Sequence, residues 1–170
     1  ICTISKPFDP ALLMVQIGSI LKNRKDLRSY FYNEITLQSS SLKVSPEYKE
    51  FLQDCIQIVE RHLMNPAFHT KVLAAEIGLS QSTLYNRIKS ISGKSINEFI
   101  RFIRLRKAAQ LLLSTDLTIA EAAYQVGMND AKYFREQFYK LFGMNPSEYV
   151  KKYRKAFHEN QSLGQQFFRG

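Results

Sequence analysis

Two stretches about fifty residues apart share one layout, and that duplication limits the fold more than any other feature of the chain. Residues 74–93 read AAEIGLSQSTLYNRIKSISG and residues 123–143 read AYQVGMNDAKYFREQFYKLFG. Gly78 answers to Gly127 at an offset of 49, while Leu84, Ile88 and Gly93 answer to Phe134, Phe138 and Gly143 at an offset of 50. One residue is therefore added between the two anchors.

Each copy reads as two short helices around a glycine. In the first, a helix from Thr70 turns Leu73, Ala74 and Ile77 inward and ends at Gly78, a residue suited to a left-handed cap. Ser80 then serves as N-cap for a helix that buries Leu84, Ile88 and Ile91. In the second, Thr118 to Val126 and Asp130 to Phe142 repeat the pattern around Gly127. Ala74 and Ala75, matched by Ala122 and Ala123, are expected to let the paired helices approach closely.

Between the copies, Ser95 to Leu113 reads as about 18 residues of continuous helix, spanning roughly 27 Å. The copies also agree beyond their glycines. GKSINEFI at 93–100 aligns with GMNPSEYV at 143–150, which places Phe99 and Tyr149 in the core and Glu98 and Glu148 at positive helix N-termini.

Upstream of the first copy, Phe51, Cys55, Val59 and Leu63 form one apolar stripe, stopped at Met64 to Pro66. Near the start, Asp9 and Pro10 open a helix to Lys22 with Leu13, Ile17, Ile20 and Leu21 on one face. Periodicity fades after Tyr32, and Ser39 to Ser45 reads as a linker. The tail AFHENQSLGQQFFRG shows no stable pattern, so Phe157, Phe167 and Phe168 are expected to be loose. No stretch offers the alternation a strand requires. The fold expected is all-α: two helix-turn-helix subdomains joined by a long linker helix.

The net charge of +9 is placed where the repeats are. Ser80 to Lys155 carries 14 Lys or Arg against 6 Asp or Glu, a net of +8, which leaves +1 for the other 94 residues. Such a region attracts polyanions. Two helices joined by a short glycine turn are a helix-turn-helix, whose second helix can enter a major groove. With side packing added to the linking helix, one chain can reach two adjacent grooves, about 34 Å apart.

Catalytic chemistry is not expected. His62, His69 and His158 have no Cys or carboxylate partner at ligand spacing, nothing orders a nucleophilic triad, and no glycine-rich phosphate loop occurs. No cofactor or metal is expected. Cys55 reads as a small core residue, and Cys2 and Cys55 are too few for a disulfide framework. No apolar run reaches the roughly 18 residues of a membrane span, and the start lacks a signal peptide. A cytoplasmic setting without membrane contact is expected.

The segment 46–155 resembles the DNA-binding domain of the AraC/XylS family of transcription regulators. The motifs that carry the resemblance are FIRLRKAAQLLL, TIAEAAYQVGMND and YFREQFYKLFGMNPSEYV. The N-terminal ISKPFDPALLMVQIGSILKNR resembles the end of a response-regulator receiver domain, in which a lysine at the place of Lys6 contacts the phosphoryl group. Together these imply a piece of a longer protein like the hybrid two-component sensors of gut bacteria: 1–33 a receiver remnant, 34–45 a linker, 46–155 the DNA-binding domain and 156–170 a tail. The resemblance further implies RNA polymerase as a partner, a homodimer formed through other domains, a parent anchored in the inner membrane, and control of polysaccharide utilisation genes. The alternative is a basic helical protein-interaction module without DNA sequence specificity.

In the first recognition helix, Gln81, Ser82, Tyr85, Asn86 and Lys89 lie on or beside the outer face. Gln and Asn can pair with adenine, Ser suits several bases, and Tyr meets either a thymine methyl or a phosphate. In the second, the outer set is Ala131, Lys132, Arg135, Glu136 and Tyr139. Arg135 fits guanine O6 and N7; Glu136 either accepts from cytosine N4 or pairs with a neighbouring cation. Lys89, Lys94, Arg104 and Lys140 are expected phosphate contacts. Arg106, Lys107, Lys151 and Lys152 are further phosphate contacts or solvated charges.

Overall fold

The computed structural model describes the backbone of residues 10–167 and the side chains of residues 22–161. The helices run α1 (Pro10–Ile35), α2 (Pro46–Arg61), α3 (Thr70–Ile77), α4 (Gln81–Ser92), α5 (Ile96–Ser114), α6 (Ile119–Gln125), α7 (Ala131–Phe142) and α8 (Pro146–Phe167), with no strand among the described residues. Lys6 lies outside the described residues, as do the side chains of Leu13, Ile17, Ile20, Leu21, Phe167 and Phe168.

The helix starts are written locally. Ser80, Ser95, Thr118 and Asp130 each accept a hydrogen bond from the backbone N–H three residues on, and Glu121 returns the contact to Thr118 in a capping box. Each cap contributes about 1 kcal/mol. That backbone contact holds the Glu121 carboxyl below the usual carboxylate range. The added residue of the second copy falls in the turn itself: Leu79 alone separates Gly78 from its N-cap, whereas Met128 and Asn129 separate Gly127 from Asp130.

The core follows the repeat. Leu84, Ile88 and Ile91 are buried on α4, as are Phe134, Phe138 and Leu141 at the same places on α7; Phe99 and Tyr149 are buried as expected. Both units pack on α5, which buries residues on nearly every side, from Ile96 to Leu113. Burial pushes the Tyr149 hydroxyl up to about 12, helped by Tyr153 beside it, and the Cys55 thiol also to about 12, helped by Asp54.

Three expectations are corrected. Helix α1 does not stop at Lys22 but continues to Ile35, because Leu27, Phe31 and Ile35, spaced four apart, give it a second inward stripe; Phe31 and Ile35 are buried. The tail is helical to Phe167. Tyr149, Tyr153 and Phe157 make an i+4 aromatic row, Phe157 packs against the core, and Arg154 donates to the carbonyls of Leu112 and Thr115 at the end of α5. Finally, Ala75 is exposed. The register pairs Ala74 with Ala123 and Ala75 with exposed Tyr124, so the close approach rests on Ala74 in one unit and on Ala122 and Ala123 in the other.

Candidate nucleic-acid interface

The inward rows of α4 and α7 leave one outer face on each helix. On α4 that face carries Gln81, Ser82, Tyr85, Asn86 and Lys89, all exposed; on α7 it carries Lys132, Arg135, Glu136 and Tyr139, also exposed, with Ala131 half-buried. At the offset of 50, Ser82 corresponds to Lys132, Tyr85 to Arg135, Asn86 to Glu136 and Lys89 to Tyr139. In the first three pairs α4 presents a neutral group and α7 a charged one; in the fourth the order is reversed. Among the described residues, no side-chain hydrogen bond or ion pair engages Arg135 or Glu136, so the pairing of Glu136 with a neighbouring cation is not formed. Both keep their full donor and acceptor capacity for a ligand.

Lys89 and Lys140 stand in the last turns of α4 and α7, and Lys94, exposed, sits 5.7 Å over the Phe102 ring. Arg104 is different. Expected among the phosphate contacts, it is half-buried on α5, and its Nη1 donates at 2.7 Å to the carbonyls of both Leu63 and Val126. Those oxygens lie just past the ends of α2 and α6, where orphan carbonyls attract a cation. Burial lowers the Arg104 pKa from the ordinary guanidinium value. Arg106 is likewise occupied, donating to the Glu34 backbone oxygen at 3.2 Å and to the carboxylates of Glu34 and Glu60 at 3.4 Å each. A helix packed on most of its sides leaves its arginines to close backbone carbonyls rather than to meet phosphate.

Arg104→Met keeps the packing of the stem but orphans both carbonyls, and is expected to cost about 3 kcal/mol. The thermal midpoint should fall by roughly 10 °C. A shift under about 2 °C would show that water replaces the guanidinium without penalty.

Two arrangements have no local sequence signal. Arg101 on α5 donates through Nη1 to the hydroxyl of Tyr133, 3.1 Å away, and its buried Nε has no partner. This brings an arginine of the linking helix to the exposed first turn of α7. His62, expected to lack a carboxylate partner, meets Glu76 at 2.5 Å, and Arg61 meets the same carboxylate at 3.0 Å. Fourteen residues separate His62 from Glu76, so spacing could not reveal the pair, which ties α2 to α3. Among the described residues no group of His, Cys, Asp and Glu could hold a metal ion, and no helix is long and apolar enough to cross a membrane.

Two copies of a helix-turn-helix, each with its second helix exposed along one polar face, define a double helix-turn-helix DNA-binding domain. A helix-turn-helix domain family matches residues 73–152. The C-terminal domain of the two-component response regulator yesN from Fusobacterium nucleatum is 32% identical, with 61% of this chain and 98% of that chain covered and a TM-score of 0.48. The chain belongs to the AraC/XylS family. It is also similar to the DNA-binding domain of AdpA, a global transcriptional factor solved in complex with a target DNA, at 26% identity over 62% of this chain and 94% of that one, TM-score 0.51. Histidine kinase P4 of Formosa agariphila is 37% identical over 154 residues, 91% of this chain. The chain spans only 11% of that protein, and 30% of the Msm operon regulatory protein of Streptococcus mutans.

Proposed function

We propose that this protein binds double-stranded DNA sequence-specifically, with α4 and α7 in successive major grooves, and regulates transcription as the output domain of a two-component signalling protein. The observation that carries this reading is the pair of exposed, repeat-related recognition faces on helices that both pack on α5. Gln81, Ser82, Tyr85 and Asn86 contact bases from α4, a set suited to A·T pairs; Lys132, Arg135 and Glu136 contact bases from α7, a set suited to G·C pairs. Lys89, Lys94 and Lys140 hold phosphates and fix the register. Arg104 has no part in this, being committed to Leu63 and Val126.

The wider setting belongs to the same proposal. Residues 46–155 form the DNA-binding body, with the receiver-like segment before it and α8 extending past it. The likeness to a histidine kinase and to a response regulator domain supports a signalling parent, anchored in the inner membrane, that activates polysaccharide utilisation genes by recruiting RNA polymerase and pairs through its other domains.

Two substitutions separate base reading from phosphate holding. Arg135→Ala is expected to cost about 1–3 kcal/mol on the preferred duplex and to relax base choice at one position. Lys140→Ala should weaken all duplexes alike and reduce the slope of log affinity against log salt by about 1. Fluorescence anisotropy at several salt concentrations measures both. If Arg135→Ala weakens every duplex equally, Arg135 does not read a base.

A further inference from the structure

One turn of α1 reaches the C-terminal ends of both recognition helices. Arg28 lies against Gly93, which closes α4: a Cβ at Gly93 would stand 3.2 Å from Arg28 Nε. Four residues on, about 6 Å along the helix, the Tyr32 hydroxyl donates at 3.2 Å to the carbonyl of Leu141 in the last turn of α7. Between these points Phe31 is buried, its ring stacked 5.3 Å from Phe99 and 6.4 Å from Phe102 on α5. One turn further, the Glu34 carboxylate accepts from Gln53 on α2 at 3.1 Å, and its backbone oxygen accepts from Arg106 on α5.

This is more attachment than a connecting helix needs. The most extensive packing of α1 is along α4 itself, while the outer residues of α4 and α7 remain exposed. Helix α1 thus packs along α4 and holds α7 at one point, the Tyr32–Leu141 hydrogen bond, leaving both reading faces clear. The two units otherwise meet mainly through α5, whose contacts with α7 are few. A double helix-turn-helix needs its two reading helices at a fixed separation and angle, because one added base pair moves the second groove by about 3.4 Å and rotates it by roughly 35°.

We propose that α1 is the spacing gauge of the domain: Phe31 and Tyr32 are positioning residues that fix α4 relative to α7 and so set how many base pairs separate the two blocks the protein accepts. The inference rests on the DNA-binding reading above and adds a determinant that touches no DNA. Its consequence is that displacing α1 changes operator choice without altering either reading face.

The test uses the full chain and duplex libraries, each with two randomised blocks and a spacer stepped by one base pair between libraries. Affinities are then taken on the selected duplexes and on duplexes holding one selected block. The native chain should favour one spacer over its neighbours by about tenfold. In the double variant Phe31→Ala with Tyr32→Phe the preference should fall to about twofold, with single-block affinity held within about twofold. Tyr32→Phe alone keeps the ring and should broaden spacer choice by a smaller factor, with an unchanged thermal midpoint; it decides the matter where the double variant does not fold. Retained preference in Tyr32→Phe and the double variant, or a matching loss on single-block duplexes, overturns the gauge while leaving the DNA reading intact. A native chain that enriches no duplex from any library overturns the DNA reading, and the gauge with it.

Discussion

Gly127→Ala is expected to destabilise the domain by about 4 kcal/mol or more, while Gly78→Ala, at the equivalent place in the first copy, costs about 1 kcal/mol. Both glycines have left-handed backbones, with φ of 78° and 77°, so the intrinsic strain of a side chain is the same at each. What differs is the space. Nothing lies within 4 Å of a Cβ at Gly78. A Cβ at Gly127 would fall on the Leu63 carbonyl oxygen and Arg104 Nη1, far inside contact distance. The backbone oxygen cannot yield without moving the end of α2, and moving Arg104 orphans the carbonyls of Leu63 and Val126. Against a total stability of about 5–15 kcal/mol, that loss leaves much of the protein unfolded in mild denaturant. Urea unfolding of the two variants side by side gives the answer, and equal midpoints would mean that the turn at Gly127 relaxes freely.

Phe138→Ala is expected to cost about 3–5 kcal/mol. The ring is fully buried at the centre of an aromatic cluster, 4.4 Å from Phe142, 5.4 Å edge-on to Tyr149 and 5.8 Å from Phe134 between centroids. Its ring neighbours come from α7 itself and from α8, which packs on α7. The midpoint should fall by roughly 10–15 °C. Tyr139→Ala, one residue on and 54% exposed, should change stability by less than about 0.5 kcal/mol and act on DNA affinity alone. The pair separates the inner from the outer face of α7 by thermal scan; similar shifts for both would contradict the orientation of the helix.

The sequence made the double unit legible because its signals are local. A cap and its acceptor lie three residues apart, a helix face repeats every three or four, and the duplication lets each copy check the other: Leu84 against Phe134, Ser80 against Asp130, Phe99 against Tyr149. The outer faces of α4 and α7 followed from the inner ones, so the exposure of Gln81 or Arg135 needed no tertiary knowledge. What escaped is non-local. Arg104 looked like a surface cation, yet its acceptors are 41 and 22 residues away. His62 found Glu76 across the loop between α2 and α3. The stripe of Leu27, Phe31 and Ile35 was masked by the charged residues around it, and its purpose emerges only where Tyr32 meets Leu141, 109 residues on.

Two reading helices on one chain are expected to meet two adjacent grooves of DNA. Selecting the native protein against a randomised duplex pool of about 25 base pairs, long enough for two half-sites one turn apart, decides it. Two short enriched blocks are expected, centred about 10–10.5 base pairs apart, one richer in A·T and one containing G·C. A pool that emerges without sequence enrichment, though bound, would contradict it and leave a basic helical surface that holds polyanions or acidic proteins without reading bases.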